Sequence, residues 1–165
     1  MTRSFLSLGS NLGDRLGYLR TALTAIDRGP RMRVTGTSKI YETEPVEVVD
    51  EQPDYLNCVV ELACGVPAKE LLRYCEGIEA ALRREKKGER APRTLDIDVL
   101  LFGEQTLGGP DLTVPHRGIE RAFNLKGLAD LDADLYIPGH GKVGELLARA
   151  DQVGIRTFGE AEKPC

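Results

Sequence analysis

The sequence predicts an α+β fold of the ferredoxin-like kind: a βαββαβ core, its antiparallel sheet packed by helices on one side, with C-terminal additions. Three observations carry that expectation. Leu95, Ile97, Val99 and Leu101 alternate with other residues, the period of a strand. Two stretches, residues 16–26 and 71–82, repeat apolar residues at helical spacing. They fall between strand-like runs at residues 4–8, 34–41 and 55–64, which gives the order β-α-β-β-α-β over the first hundred residues.

The first strand, residues 4–8, enters the turn Gly9-Ser10-Asn11-Leu12-Gly13-Asp14, whose last residue suits a helix N-cap. This turn lacks the G-x-G-x-x-G pattern and the P-loop lysine of nucleotide fingerprints. Leu16, Leu19, Leu23 and Ile26 form the stripe of a helix that stops near Gly29-Pro30. Residues 34–41 read as one strand of mixed periodicity, followed by an acidic, proline-bounded loop over residues 42–54 that is long enough to be functional. In the next strand, residues 55–64, Leu56, Cys58, Val60 and Leu62 share one face and Tyr55 and Asn57 the other. A ring beside an amide can stack on and hydrogen-bond to a flat heterocycle, or be an ordinary sheet surface. Pro67 opens a second helix with the stripe Leu71, Leu72, Cys75, Ile78 and Leu82. Glu79 borders that stripe, as a helix salt-bridge partner or a ligand-facing acceptor. Beyond residue 102 the expected elements are a turn at 103–109 and a helix over 117–131 with Phe123, Leu125 and Leu128 inward. A short strand at 136–138 and a short helix at 143–150 follow. His116, beside Pro115, is either structural or a hydrogen-bonding group in a cleft. Residues 1–150 make a single domain, and the pattern-poor residues 151–165 read as a tail.

The chain's most distinctive stretch is Pro92-Arg93-Thr94-Leu95-Asp96-Ile97-Asp98. In a strand Asp96 and Asp98 point the same way with Cα atoms about 6.6 Å apart. Two carboxylates at that spacing repel by roughly 2–3 kcal/mol at an effective dielectric near 20. Either both are solvated, or a cation sits between them, and Mg²⁺ with phosphate oxygens suits such hard ligands. Residues 83–93 carry six basic and two acidic side chains in a protein of net charge −4. A cationic segment running into paired carboxylates matches a metal–polyphosphate ligand; the alternative is a solvated loop.

At 165 residues the chain can bury a single sizeable core. The net charge of −4 argues against general nucleic-acid binding, and no apolar run approaches a membrane span. Cys58, Cys64, Cys75 and Cys165 show no zinc-ligand spacing and read as reduced thiols of a cytoplasmic protein.

Gly9-Ser10-Asn11-Leu12, Tyr41-Glu42-Thr43, Gln52-Pro53-Asp54-Tyr55-Leu56-Asn57, Ile78-Glu79, Pro92 to Asp98, Leu112-Thr113-Val114-Pro115-His116 and Arg121-Ala122-Phe123 occur in one order. Together they resemble the 6-hydroxymethyl-7,8-dihydropterin pyrophosphokinase family of folate biosynthesis. The resemblance implies transfer of the β,γ-diphosphate of ATP to the pterin hydroxymethyl group, with AMP released. It implies that Asp96 and Asp98 hold two Mg²⁺ ions and that Arg84 and Arg93 contact phosphates and assist the transfer. It further implies that Glu79, Val99, Thr113, His116 and Arg121 help to hold ATP. Thr43, Glu44, Val46, Tyr55, Asn57 and Phe123, with Asp96, would form the pterin pocket. The expected partners are these two substrates, without nucleic acid or membrane, for a monomeric chain. Three departures stand out: Arg90-Ala91 replaces a common tryptophan-glycine pair, Arg83 a frequent glycine and Glu44 a frequent proline. A binding module that has lost catalysis, or an unrelated interaction domain, are the competing readings.

Overall fold

The structure, a computed structural model, describes residues 1–45, 53–83 and 95–160. The expectations for Val46, Arg84, Arg90 and Arg93 concern positions outside these residues. In chain order the elements are β1 (Thr2–Ser10), α1 (Arg15–Asp27), β2 (Met32–Thr37), β3 (Lys39–Thr43), β4 (Tyr55–Cys64), α2 (Ala68–Arg83) and β5 (Asp96–Phe102). There follow β6 (Leu107–Gly108), β7 (Thr113–Val114), α3 (Ala122–Asp132), β8 (Tyr136–Ile137), β9 (Gly141–Lys142), α4 (Val143–Arg149) and β10 (Ile155–Glu160).

The main sheet is antiparallel in every pairing and runs β10-β3-β4-β1-β5, with β2 also pairing β4. Its interior follows from alternation. Leu6, Leu8, Leu56, Cys58, Val60 and Leu62 turn to one face and meet Leu19, Leu23 and Ile26 of α1 and Leu71 and Cys75 of α2. The spacing of those helical residues makes both helices lie flat on that face. Asp14 caps α1 as the turn chemistry predicts, accepting the Gly17 N–H at 3.0 Å.

Four expectations are corrected. Helices cover both faces of the sheet rather than one. Phe5, Val59, Leu100 and Leu101 are apolar on the second face, and Leu125, Leu128, Val143 and Leu146 of α3 and α4 bury them. The strand expected over residues 34–41 is two strands. Val34 faces Leu62 but Gly36 faces Glu61, and Thr37 faces Val60 but Tyr41 faces Asn57. Each step inserts one extra residue, and two bulges blur the period that the sequence shows. Ser38 stabilises the second: its backbone N–H donates to the Val59 carbonyl and its Oγ accepts the Val59 N–H, both at 2.8 Å. Third, α3 begins at Ala122 rather than residue 117, because residues 116–121 close into turns through Ile119 N–H to His116 O and Arg121 N–H to Gly118 O. Finally, the pattern-poor tail contains β10, which pairs with β3 along the sheet edge.

A bulge also divides β5. Leu6 pairs with Val99 and Phe5 with Leu101, so Leu100 is the additional residue. Leu95, Ile97 and Val99 stay with the α1/α2 face, whereas Leu101, expected beside them, packs on the opposite face. Cys58, Cys64 and Cys75 are free and buried. Burial pushes the Cys58 and Cys75 thiols up to about 12.

Candidate active site

Cross-strand register assembles the site. Gly9, on β1, pairs with Asn57 on one side and Asp96 on the other; Ser7 pairs with Val59 and Asp98. Residues directly opposite in an antiparallel sheet point the same way, so Asn57, Asp96 and Asp98 share one face. The α3/α4 layer covers the Phe5 end of that face and leaves the Gly9 end as a cleft of about 270 Å³. Thr43, Glu44, Tyr55, Asn57, Arg121 and Phe123 line it with Ser7, Gly9 and the two aspartates. Thr43 and Asn57 are both buried, and Asn57 Nδ2 donates to Thr43 Oγ1 at 2.7 Å. A methyl group on Gly9 would lie 2.9 Å from Asn57 Oδ1, so a residue without Cβ is what lets the amide occupy its place. Phe123, expected inward, is only half-buried and forms a wall of the cleft. It sits in the first turn of α3, where the helix arrives over the sheet.

A second cleft, of about 340 Å³, lies across β5. Leu72, Ile97, Val99, Leu112, Thr113 and His116 contribute to it, with Asp98 at its margin. The β5 bulge holds this side together, because the Leu100 carbonyl accepts the His116 N–H at 3.0 Å. The His116 ring is turned by its other end: Nδ1 accepts the Gly118 N–H at 3.0 Å. In the neutral ring the proton therefore sits on Nε2. That nitrogen stands 3.7 Å from Asp98 Oδ1.

A third cleft, of about 440 Å³, is bounded by α2 and β5 and takes in Lys69, Arg73, Glu76, Glu79, Asp96, Asp98 and Asp111. Here Glu79 Oε2 accepts the Ile97 N–H at 3.0 Å. β5 is an edge strand of the sheet, so its outward N–H groups need partners. The open alternative for Glu79 thus resolves into a backbone anchor between the two aspartates that also borders the cleft.

Asp98 lines all three clefts, and its side chain is 49% exposed. The structure therefore brings Thr43, Glu44, Tyr55, Asn57, Arg121 and Phe123 to one side of the aspartate pair. It brings Val99, Thr113 and His116 to the other side, with Glu79 beneath. Ser7 and Gly9 escaped the sequence reading, although their two-residue spacing on β1 was the available signal. Leu72, read as core, is half-buried and borders the second and third clefts. Among the described residues no group of three or more His, Cys, Asp or Glu gathers as metal ligands, and no helix is long and apolar enough to cross a membrane.

An antiparallel sheet layered by helices, with two carboxylates where the Asn57 cleft and the His116 cleft meet, suits a small transferase that brings two substrates together. The family model for 7,8-dihydro-6-hydroxymethylpterin-pyrophosphokinase matches residues 5–133. The chain belongs to this family. It is 40% identical over 154 residues to the 2-amino-4-hydroxy-6-hydroxymethyldihydropteridine pyrophosphokinase of Pseudomonas aeruginosa, covering 93% of this chain and 94% of that protein. The protein of the same name from Methylorubrum extorquens is 40% identical over 156 residues, covering 94% and 98%. The chain spans only 21% of another relative, the folic acid synthesis protein fol1 of Schizosaccharomyces pombe, at 36% identity over 94% of its own length. A crystal structure of Plasmodium falciparum HPPK-DHPS has the same fold, with a TM-score of 0.70 over 95% of this chain and 47% of that one, at 15% identity.

Proposed function

We propose that the chain transfers the β,γ-diphosphate of ATP to the hydroxymethyl group of 6-hydroxymethyl-7,8-dihydropterin, giving the pterin diphosphate and AMP, a step of folate biosynthesis. The observation that carries the reading is the place of Asp98, common to the Asn57 cleft on one side of β5 and the His116 cleft on the other. Two substrates held in those clefts would meet at one carboxylate pair. The names of the full-length relatives support the chemistry.

In this reading the pterin lies in the Asn57 cleft. Tyr55 and Phe123 flank its ring, and the Thr43–Asn57 hydrogen bond presets the amide that meets its polar edge. Preset groups lower the ordering cost of binding. ATP lies across β5, among Val99, Thr113 and His116, with Arg121 reaching its phosphate side. The residues fit magnesium: two hard carboxylates leave most of an octahedral shell to phosphate oxygens and water. Asp96 and Asp98 would hold two such ions, which supply neutralisation of the triphosphate charge. The pterin hydroxyl attacks the β-phosphorus in line as the bond to the α-phosphate oxygen breaks. In this reading the hydroxyl proton passes to Asp98. His116, oriented through Gly118 and Leu100, presents Nε2–H toward that carboxylate. Glu79 holds the Ile97 backbone so that both aspartates keep their aim. Arg84 and Arg93 take the phosphate contacts that the resemblance implies, and Val46 a place in the pterin pocket. The strand order supports a ferredoxin-like βαββαβ core within residues 1–150, and the buried thiols support a cytoplasmic enzyme.

Incubation with Mg²⁺, ATP and the hydroxymethyl dihydropterin tests the reading. AMP and the pterin diphosphate should form together. ADP would mean ordinary kinase chemistry, and pterin binding without product would mean a binding module.

A further inference from the structure

The pterin cleft depends on where β4 begins, because Tyr55 and Asn57 are its first and third residues. The two residues before it, Pro53 and Asp54, are held from three separate elements. Asn11 Nδ2, in the turn after β1, donates to the Pro53 carbonyl at 3.4 Å. Arg15 Nη1, at the start of α1, donates to the Asp54 carbonyl at 2.9 Å and to Glu42 Oε2 at 2.7 Å. Arg156, on β10, donates to the Asp54 carboxylate at 2.7 Å and to Glu42 Oε1 at 3.2 Å. Two guanidinium groups and two carboxylates thus alternate around one corner. Glu42 bridges the two arginines through different oxygens, and the register that pairs Arg156 with Glu42 keeps them adjacent.

The same segment meets the cleft at a second point, where Ile155 pairs with Thr43. Gly154, just before β10, adopts φ +80°, and a methyl group on it would lie 3.5 Å from Glu44 Oε2. Glu44 lines the cleft. The C-terminal strand therefore flanks residues 46–52 on both sides, pairing Ile155 with the cleft residue Thr43 and binding Asp54 through Arg156.

Arg156 is 51% exposed and Asp54 33%. Exposed ion pairs add little to global stability. What they can set, when several share one corner, is local position. We infer that Arg156 is a positioning residue for the pterin cleft, holding Asp54 so that β4 presents Tyr55 and Asn57 to the substrate. This rests on the proposed pterin reading. It assigns to the strand beyond the family's matched segment a part in substrate affinity rather than in chemistry.

Steady-state kinetics with each substrate varied, beside calorimetric pterin binding, separate the possibilities. Arg156→Gln should raise the pterin KM and Kd by about three- to tenfold, the range of a lost charge-assisted contact in a partly solvated network. The kcat and the ATP KM should stay within about twofold and Arg156→Lys should recover part of the loss, as for a contact that acts only on the pterin side. Asp54→Ala, which leaves the β10 pairing intact and keeps the backbone carbonyl for Arg15, carries the test if Arg156→Gln does not fold. The double variant should be no worse than Arg156→Gln alone, because that substitution already removes the Asp54 contact. An unchanged pterin Kd, an equal rise in ATP KM, or additive single effects would overturn the inference. AMP formation by the parent protein reports separately on the proposed function.

Discussion

Asp96 and Asp98 are placed on the same face by strand geometry alone. Asp96→Ala and Asp98→Ala should each cut turnover by roughly a thousandfold, the scale of losing preorganised charge stabilisation, with the chief effect on turnover rather than on stability to urea. Glu79→Ala should differ from both. It leaves the Ile97 N–H of an edge strand without its carboxylate acceptor, so turnover and unfolding free energy should fall together, the latter by about 1–2 kcal/mol. A thermally unaltered Glu79→Ala would mean that the anchor carries no load. Gly9 gives a gentler probe. Gly9→Ala puts a methyl group 2.9 Å from Asn57 Oδ1, so the amide must shift and strain the bond from its Nδ2 to Thr43. Pterin KM should rise by about tenfold with little change in the ATP KM, since one oriented polar contact is worth about 1–1.5 kcal/mol. The aspartate pair is legible in the sequence because period two is all that it needs. Gly9 is not, because its importance depends on which residue of β4 lies opposite, and register is a property of two strands.

At the scale of elements, bulges decide what the sequence hides. β4 matches its expected limits, residues 55–64, because its alternation is continuous. The β2–β3 segment and the end of β5 do not, since one inserted residue exchanges the inward and outward sets. β10 was illegible for another reason: it is short, exposed and carries no alternating core, so only pairing with β3 reveals it. Packing of α3 on β4 is similarly specific. A methyl group on Gly127 would fall 2.3 Å from Val59 Cγ2 and 2.8 Å from Val59 Cβ. Gly127→Ala should therefore destabilise the fold by about 1–3 kcal/mol, as overpacking does, despite the higher helix propensity of alanine. Urea unfolding checks this; a stabilised variant would show that α3 can lift from the sheet without cost.

For the whole molecule, two apolar layers clamp one sheet, and polar networks tie down the ends that the layers do not reach. Glu42 belongs to such a network. The hydrogen bond from Arg15, chiefly, holds its carboxyl below the usual glutamate range, against a smaller opposing effect of burial. A carboxyl with a lowered value in the folded state stabilises it above the ordinary range, and that contribution is lost as pH falls through the lowered value. Parent and Glu42→Gln should thus differ in urea stability near pH 7 and converge as pH falls below the lowered value of Glu42, where both side chains are neutral. A gap that persists in acid would assign the effect to packing.

The extra residue at Leu100 has a consequence of its own. Its carbonyl is the hook for His116, and it exists only because β5 is one residue longer than the stretch of β1 beside it. Excising that residue would leave the acids untouched and the hydrophobic count nearly so, yet would swing the imidazole's tether to the wrong side. Divergent descendants of this chain can exchange the leucine for another apolar residue far more readily than they can change the strand's length.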